Sequence, residues 1–339
     1  MTSNGFTFGL SGCGGGLESS RDLNLMTLAE RAEAWGFQSL WINEEHFQGG
    51  TNAREGRTCL SPLILAAAIA GRTSKIRIGF SVLVLPLHQP LRLAEEIATL
   101  DVLSGGRVDL GISRGANPKY LAAFGIAPDE GADRFENCLD TMLRAWRDPE
   151  ITIAGESYAV APKPVQTPHP PIYMGTYTPA TAAWAAQQGH HLICHGISSM
   201  TSLRPVIEAY RDAGGDLSAL PLGRFIYVSD CDDSARREIW PVVLDLTKRL
   251  RDNGLYRRPN IITLDELDPE VFLEKMVIWG SPETCAAKIA VIADDFGIRY
   301  INALSAFFGH LPEPLLHRSL ELLATEVKPL LDKRYRGKT

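Results

Sequence analysis

The sequence contains no apolar run that approaches the ~18 residues required of a transmembrane helix. Its first ten residues, MTSNGFTFGL, carry no basic region ahead of the apolar stretch and so do not resemble a secretory signal. Basic residues do not dominate, because 34 Lys and Arg stand against 40 Asp and Glu, for a formal net charge of -6. We therefore expect neither a membrane nor a nucleic acid as partner.

Cysteine is sparse and shows no paired spacing. The six cysteines lie far apart in the chain, and none forms a CxxC pair. Scattered thiols in a chain of this size are typical of reduced intracellular proteins rather than of a disulfide framework. Internal repeats and low-complexity tracts are also missing. Together these absences predict a cytoplasmic globular enzyme.

Short apolar segments alternate with longer amphipathic ones along almost the whole chain. The segments predicted to be strands are 6–10, 39–42, 76–84, 108–112, 172–175, 192–194, 225–229 and 300–304. Helical spacing of apolar residues follows each of them, in 25–35, 61–71, 89–103, 132–147, 179–188, 199–213, 232–250, 281–295 and 313–332. Eight strands, each followed by a helix, predict an α/β protein with a closed parallel (β/α)8 TIM barrel. We expect one domain that spans 1–339.

Three stretches interrupt the alternation and are interpreted as insertions. Residues 43–58 form a loop rich in glycine and charge, and 148–170 combine a hairpin with a Pro-rich approach to the fifth strand. Residues 253–275 are polar with a few apolar anchors. We interpret this last segment as a mobile lid over the mouth of the barrel.

The chemistry of such barrels lies at the carboxyl ends of the strands. That rule alone selects the candidate site segments 11–16, 43–47, 81–82, 113–117, 175–181 and 194–196.

Several segments closely resemble the luciferase-like flavin monooxygenases. They are LWINEEHF (40–47), KIRIGFSVLVLPLHQPLRLAEEIATLDVLSGGRVDLGISRG (75–115), PIYMGTYTPATAAWAAQQG (171–189) and WGSPETCAAKI (279–289). The resemblance covers nearly the whole chain. It implies the barrel fold and a flavin cofactor, and it says little about the substrate.

The resemblance implies a site for the FMN phosphate formed by Arg114, Arg134, Thr178 and Thr181. A phosphate needs cations together with hydroxyl or amide donors. The two threonines stand where a predicted helix begins and where free backbone N–H groups favour an anion. For Thr178 the alternative is a plain helix N-cap.

The family has a non-prolyl cis peptide beneath the flavin ring at the position of Ser81-Val82. The alternative for this dipeptide is an ordinary buried strand. Ser113 matches a position near the reactive carbon of the flavin, where bacterial luciferase has a cysteine. Gly175 and Tyr177, at the next strand end, complete the predicted cofactor contacts.

The sequence departs from the family after the second strand. The family commonly has Glu-His-His-Phe there, with the first histidine in catalysis, whereas this chain has Glu44-Glu45-His46-Phe47. Glu45 therefore occupies the place of the catalytic histidine. A carboxyl there either is neutral through burial or serves a chemistry that does not need an imidazole. His46 is the other catalytic candidate, and the alternative for Glu44 and His46 is a structural hydrogen-bonded pair.

A metal site is not expected. His191 and His195 on one strand would lie about 13 Å apart at roughly 3.3 Å per residue, and Cys194 would face the other way. The glycines of 12–16 lack the Lys-Ser/Thr that follows a nucleotide-binding loop.

These features predict an FMN-dependent monooxygenase that inserts one oxygen atom of O2 into a small organic substrate. Its reduced FMN would come from a separate flavin reductase. The alternatives are a deazaflavin-dependent oxidoreductase on the same barrel and a flavin-binding relative without catalysis. The resemblance also implies a homodimer packed through helices near the second and third strands.

Overall fold

The computed structural model describes residues 5–13, 18–19, 25–47, 57–58, 60–115, 118–127, 129–258 and 260–336. Within these ranges, no helix is both long and apolar enough to cross a membrane. The glycines of 14–16, together with Ala116 and Asn117, lie outside the described residues.

Most strands lie where the sequence predicts them. In chain order they are β1 (Thr7–Cys13), β2 (Glu18–Ser19), β3 (Ser39–Ile42), β4 (Arg57–Thr58), β5 (Arg77–Phe80), β6 (Leu83–Val84), β7 (Val108–Ser113), β8 (Ile151–Ile153), β9 (Glu156–Tyr158), β10 (Ile172–Gly175), β11 (His191–Ile193), β12 (Pro221–Val228), β13 (Val277–Gly280) and β14 (Tyr300–Ala303). The single strand predicted over 76–84 is divided into β5 and β6. The sequence analysis missed β13.

The helices also follow the predicted segments. They are α1 (Leu25–Ala34), α2 (Pro62–Ala70), α3 (Pro90–Ser104), α4 (Pro118–Ala123), α5 (Gly131–Arg147), α6 (Pro179–Gln187), α7 (Met200–Asp212), α8 (Asp232–Asp252), α9 (Pro269–Met276), α10 (Pro282–Phe296), α11 (Glu313–Leu322) and α12 (Lys328–Tyr335). The short helices α4 and α9 were not predicted.

Local chemistry explains where these helices begin and end. Before α10, the Ser281 hydroxyl accepts a hydrogen bond from the Thr284 N–H, and proline occupies the first turn. Both features are typical of a helix N-terminus. Gly297 ends the helix with a left-handed backbone, at a φ of 76°, a conformation that glycine adopts without steric penalty.

The strands form a mixed α/β fold around a parallel sheet. The order is β11-β10-β7-β5-β3-β1-β14-β12-β13, with β6 paired to β7. Residues 221–224 of β12 pair with β14, and residues 225–228 pair with β13. An isolated parallel bridge joins Cys194, directly after β11, to Leu222 of β12. The hairpin predicted within 148–170 is confirmed as the antiparallel pair β8-β9.

The concave side of the sheet holds a small aromatic cluster. Trp41, Tyr173, Ile193 and Tyr300 are buried there, with Val82 packed against them. The Trp41 and Tyr173 rings meet edge to face, with centroids 5.0 Å apart. The larger apolar core also includes the buried faces of the helices. Apolar side chains therefore cover both faces of the sheet.

Residues 253–275, interpreted from sequence as a lid, are not uniformly polar and exposed. Ile261, Ile262 and Leu267 are buried, and α9 buries Phe272, Leu273 and Met276. This packing ties the second half of the segment to the core. A lid is therefore restricted to the beginning of the segment, near Arg258, and its movement stays a prediction.

Candidate active site

The carboxyl ends of β3, β5, β7 and β10 bring several predicted residues together. Asn43, after β3, accepts a hydrogen bond of 2.8 Å from the Ser81 hydroxyl, after β5. In the parallel register Met174 of β10 pairs with Ile112 of β7. The chain therefore leaves β10 beside the end of β7, as the sequence analysis expected.

Ser81-Val82 is a cis peptide, as the resemblance implied, and it is not part of a regular strand. The dipeptide separates β5 from β6 and places Val82 over two glycines of the neighbouring strands. A Cβ on Gly175 would lie 2.9 Å from Val82 Cγ1. A Cβ on Gly111 would lie 1.8 Å from the Phe80 carbonyl oxygen. Only glycine fits at these two positions, because any side chain would displace the bulge.

The threonines after β10 form a cluster of hydroxyl groups at the N-terminus of α6. Thr178 donates a hydrogen bond of 2.8 Å to the Thr181 hydroxyl, and its own N–H donates to the Thr176 hydroxyl at 3.1 Å. Thr178 occupies the N-cap position, but its side chain makes no capping hydrogen bond. The plain N-cap alternative is therefore not supported. The hydroxyls and the first N–H groups of α6 are placed to bind an anion together.

The two predicted phosphate-binding arginines differ in their surroundings. Arg114 follows β7 and is exposed. No other residue in the described ranges forms a hydrogen bond or ion pair with it. Arg134 lies in the first turn of α5, where its Nε is 3.1 Å from Glu130 Oε2. Ser113 Oγ accepts a hydrogen bond of 3.1 Å from the Gly115 N–H. The structure places Arg114 at the mouth beside β10, while a common phosphate site for both arginines stays a prediction.

Glu44 is a buried carboxylate with three hydrogen-bond partners, one backbone N–H and two imidazoles. The Val84 N–H donates to Oε2 at 2.6 Å, and His88 Nε2 and His46 Nε2 lie 2.9 Å and 3.1 Å from Oε1. Burial opposes ionisation, but these partners outweigh it and lower the pKa of Glu44 to about 2. The structural pair of Glu44 and His46 is confirmed. Sequence reasoning missed His88, which lies 44 positions from Glu44.

For Glu45, the next residue, the pKa shifts in the opposite direction. The Tyr120 hydroxyl of α4 donates a hydrogen bond of 2.6 Å to Glu45 Oε2. Burial raises the pKa of Glu45 above its ordinary value, and the opposing effects of Tyr120 and Arg258 do not cancel it. One of the two alternatives given for Glu45 from the sequence was a carboxyl neutralised by burial, and the upward shift of its pKa agrees with that alternative. Tyr120 was not predicted as its partner.

Tyr177 and Arg258 complete this side of the mouth. Burial raises the pKa of Tyr177 to about 12, while the positive charge of Arg258 opposes the rise. Arg258 is thus electrostatically coupled to both Tyr177 and Glu45. One place at the mouth is therefore shared by four segments, namely the loops after β3, β7 and β10 and the segment after α8.

The histidines of β11 do not assemble a metal site. His191 lies against the Tyr173 ring, with centroids 4.8 Å apart. His195 Nδ1 accepts a hydrogen bond of 3.3 Å from the Ile197 N–H, and its ring stacks on Phe308. Throughout the part of the chain that the structure describes, no group of three or more His, Cys, Asp or Glu is placed to hold a metal ion.

Comparisons with known proteins show the family to which the chain belongs. The family model described as luciferase-like monooxygenase matches residues 5–299. The chain is 36% identical to the uncharacterized protein y4wF of Sinorhizobium fredii over 325 residues, covering 91% of this chain and 90% of that protein.

Two solved structures share the fold. The oxygenating constituent of 3,6-diketocamphane monooxygenase from Pseudomonas putida, in complex with FMN, has a TM-score of 0.72 at 20% identity and covers 90% of this chain and 91% of its own. The coenzyme F420-dependent tetrahydromethanopterin reductase of Methanopyrus kandleri has a TM-score of 0.68 at 19% identity, covering 96% and 99%. Since the family model spans most of the chain and the relative matches along its length, this protein belongs to the luciferase-like monooxygenases, a family of oxidoreductase enzymes.

Proposed function

We propose that this protein is the oxygenase component of a two-component, FMN-dependent monooxygenase. It would bind reduced FMN delivered by a separate flavin reductase, together with O2 and a small organic substrate. The bound reduced flavin supplies the electrons that activate O2, so that one oxygen atom enters the substrate and the other becomes water. The observation that carries the proposal is the Ser81-Val82 bulge, packed over two glycines of the neighbouring strands, at the same strand ends as a cluster of hydroxyl groups at a helix N-terminus.

The Ser81-Val82 bulge would support the flavin ring. Gly111 and Gly175 leave room for this bulge between the strand ends. Ser113 lies at the end of the neighbouring strand and would contact the ring. The hydroxyls of Thr178 and Thr181 would hold the phosphate, with Arg114 and Arg134 supplying positive charge.

The remaining site residues would serve the substrate. Glu45 and His46 lie after β3, on the other side of the mouth, while Tyr177 would contact the cofactor. The protein would orient the substrate against the cofactor and exclude water from it. The segment around Arg258 is the candidate lid.

We extend the proposal to the architecture and assembly. The bridge between Cys194 and Leu222 supports a closed (β/α)8 barrel formed by β1, β3, β5, β7, β10, β11, β12 and β14. Ile64 of α2 and Leu103 of α3 are 73% and 66% exposed, which supports a homodimer packed through these helices. Cys138, Cys194, Cys231 and Cys285 are free thiols, as expected in the cytoplasm.

The test is an anaerobic fluorescence titration with photoreduced FMN, followed by a pulse of oxygen and a screen of substrates. We expect tight binding of reduced FMN and substrate-dependent consumption of oxygen. A double variant, Thr178→Ala with Thr181→Ala, should bind reduced FMN more weakly and serves as the matched control.

The deazaflavin alternative has one supporting observation, the fold shared with the F420-dependent reductase. Binding of the deazaflavin but not of FMN would replace the proposal with hydride-transfer chemistry. Tight FMN binding without oxygen consumption against any substrate class would favour the relative without catalysis.

A further inference from the structure

Adjacent carboxyl groups at the mouth have different hydrogen-bond environments. Both oxygens of Glu44 are used, by the Val84 N–H and by the imidazoles of His46 and His88. Glu45 Oε2 accepts the Tyr120 hydroxyl, whereas no residue in the described ranges forms a hydrogen bond with its Oε1. Glu44 is therefore fully engaged, and Glu45 retains one oxygen for another molecule.

The groups that face Glu45 come from several separate segments. Glu44 and His46 belong to its own loop, and Tyr120 belongs to α4. Arg258 approaches from the segment after α8 and Tyr177 from the loop after β10. Each lies at the end of the sheet where the strands terminate. The free oxygen of Glu45 is therefore at the site itself and not in a remote part of the core.

Tyr120 is held in a defined position beside Glu45. Its ring meets the His46 ring edge to face, with centroids 5.7 Å apart, and it also contacts the Phe47 ring. The hydroxyl–carboxyl distance of 2.6 Å is that of a short O–H···O hydrogen bond. These contacts fix both the orientation of the carboxyl group and the direction of its free oxygen.

We propose that Glu45 is the proton-transfer group of this site and that Tyr120 is the positioning residue that orients its carboxyl group and sets its charge. The inference rests on the proposed function, which it deepens by separating the roles of the two glutamates. Glu44 stays a fixed anion that holds His46 and His88.

The proton step is balanced within these residues and the substrate. As an acid, Glu45 breaks its O–H bond and passes the proton to a substrate oxygen or nitrogen, which carries the electron pair of the new bond. The carboxylate that is left accepts the Tyr120 O–H and is stabilised by the charge of Arg258. As a base it follows the same path in reverse. Environments that push two neighbouring pKa values apart are characteristic of an assigned acid–base pair.

The experiment is an infrared pH titration of the full-length protein without flavin, comparing wild type, Glu45→Gln and Tyr120→Phe. In wild type, the protonated-carboxyl band that Glu45→Gln removes should titrate above the ordinary range for glutamate. Any band of the buried Asp109, whose pKa is also raised by burial, should be the same in both proteins. In Tyr120→Phe the midpoint of the Glu45 band should rise by about one to two pH units, because the lost hydrogen bond favoured the charged form. Tyr158→Phe, at an exposed tyrosine of β9, is the matched control and should leave the midpoint unchanged.

The same variants are then compared in the pH dependence of substrate turnover. A midpoint that moves upward in Tyr120→Phe by the same amount as the infrared band supports the inference. An unchanged infrared midpoint in Tyr120→Phe, with lower stability, would show that Tyr120 is merely structural and overturn it. Titrating bands of the same size in wild type and Glu45→Gln would also overturn it. Failure to bind any flavin would refute the proposed function alone, because the infrared titration does not require one.

Discussion

The two sides of the mouth are built in opposite ways. After β10, hydroxyl groups lie at an exposed helix N-terminus and form hydrogen bonds mainly with one another, as between Thr178 and Thr181. After β3, the Glu44 side chain is 3% exposed and held by specific partners, and Glu45 is half-buried. The hydroxyl side keeps its donors available for a ligand. On the carboxylate side, most of the carboxyl oxygens already accept hydrogen bonds from other groups of the protein.

This contrast separates binding from positioning. Hydroxyls that satisfy each other at the surface can exchange those hydrogen bonds for a phosphate at little cost. A buried carboxylate cannot release its partners, since each would be left without a hydrogen bond in a low dielectric. We therefore expect substitutions on the hydroxyl side to change affinity and substitutions on the carboxylate side to change stability or protonation.

The largest effect is expected for Glu44→Gln. Glutamine keeps one acceptor oxygen but replaces the other with an NH2 donor and removes the charge. Part of the hydrogen bonding with the Val84 N–H and the two imidazoles is therefore lost, and the free energy of unfolding should fall by about 2–4 kcal/mol at neutral pH. Denaturant-induced unfolding measures this change in stability. Glu95→Gln, at an exposed position of α3, should change stability by less than about 0.5 kcal/mol. If Glu44→Gln loses no more stability than Glu95→Gln, the proposed difference between the two sides of the mouth is wrong.

The next effect is on cofactor affinity. Replacing Thr178 and Thr181 together by alanine should weaken binding of reduced FMN by about 10- to 100-fold, because two hydrogen bonds to a charged phosphate are lost. Stability should change by less than about 0.5 kcal/mol, since Thr178 makes no capping hydrogen bond. Fluorescence titration and thermal unfolding distinguish the two quantities. A destabilised variant with unchanged affinity would assign these threonines to the fold.

The neighbouring glutamates should give the stability opposite slopes with pH. The contribution of Glu44 is present above about pH 4.5 and is lost as the pH falls through about 2. For Glu45 the pKa is raised, so its contribution is present below the unfolded-state pKa and is lost as the pH rises through the folded-state pKa. Unfolding of wild type, Glu44→Gln and Glu45→Gln between acidic and neutral pH checks this, and parallel curves would contradict it.

The smallest effect is expected for Arg258→Ala. Its charge acts on Glu45 without a hydrogen bond, so the infrared midpoint of Glu45 should rise by less than in Tyr120→Phe. Added salt should reduce the difference because Arg258 is half-exposed. Arg257→Ala removes an exposed neighbour that lies over the Tyr256 ring and should leave the midpoint unchanged. A shift in Arg257→Ala of equal size would exclude a specific role for Arg258.

Local patterns predicted the elements of this fold better than the contacts at its mouth. The strands 39–42 and 172–175 are confirmed at both ends because each is an uninterrupted apolar segment between turns. Strand β13 was missed because it is short and directly follows α9, so no turn residues mark its beginning. The family resemblance predicted the cis peptide, which no pattern of residue types indicates.

The partners at the site could not be predicted for a physical reason. Tyr120 lies 75 positions from Glu45, and His88 lies 44 positions from Glu44. Periodicity reports which face of an element is buried and says nothing about which side chain of a distant loop meets it. Glu45 itself was found because it replaces a family histidine, and its raised pKa follows from burial that the fold creates.

The pairing of β1 with β14 has a consequence for biosynthesis. Thr7 and Tyr300 are partners across the sheet, although a ribosome that adds about 5–20 residues per second makes them roughly 15–60 s apart. Throughout that interval one edge of β1 has no strand beside it, and an open edge is a template for pairing with other chains. The yield of native enzyme in a cell should therefore fall when translation slows or nascent chains crowd together, and chaperones that shield the nascent N-terminal segment should restore it.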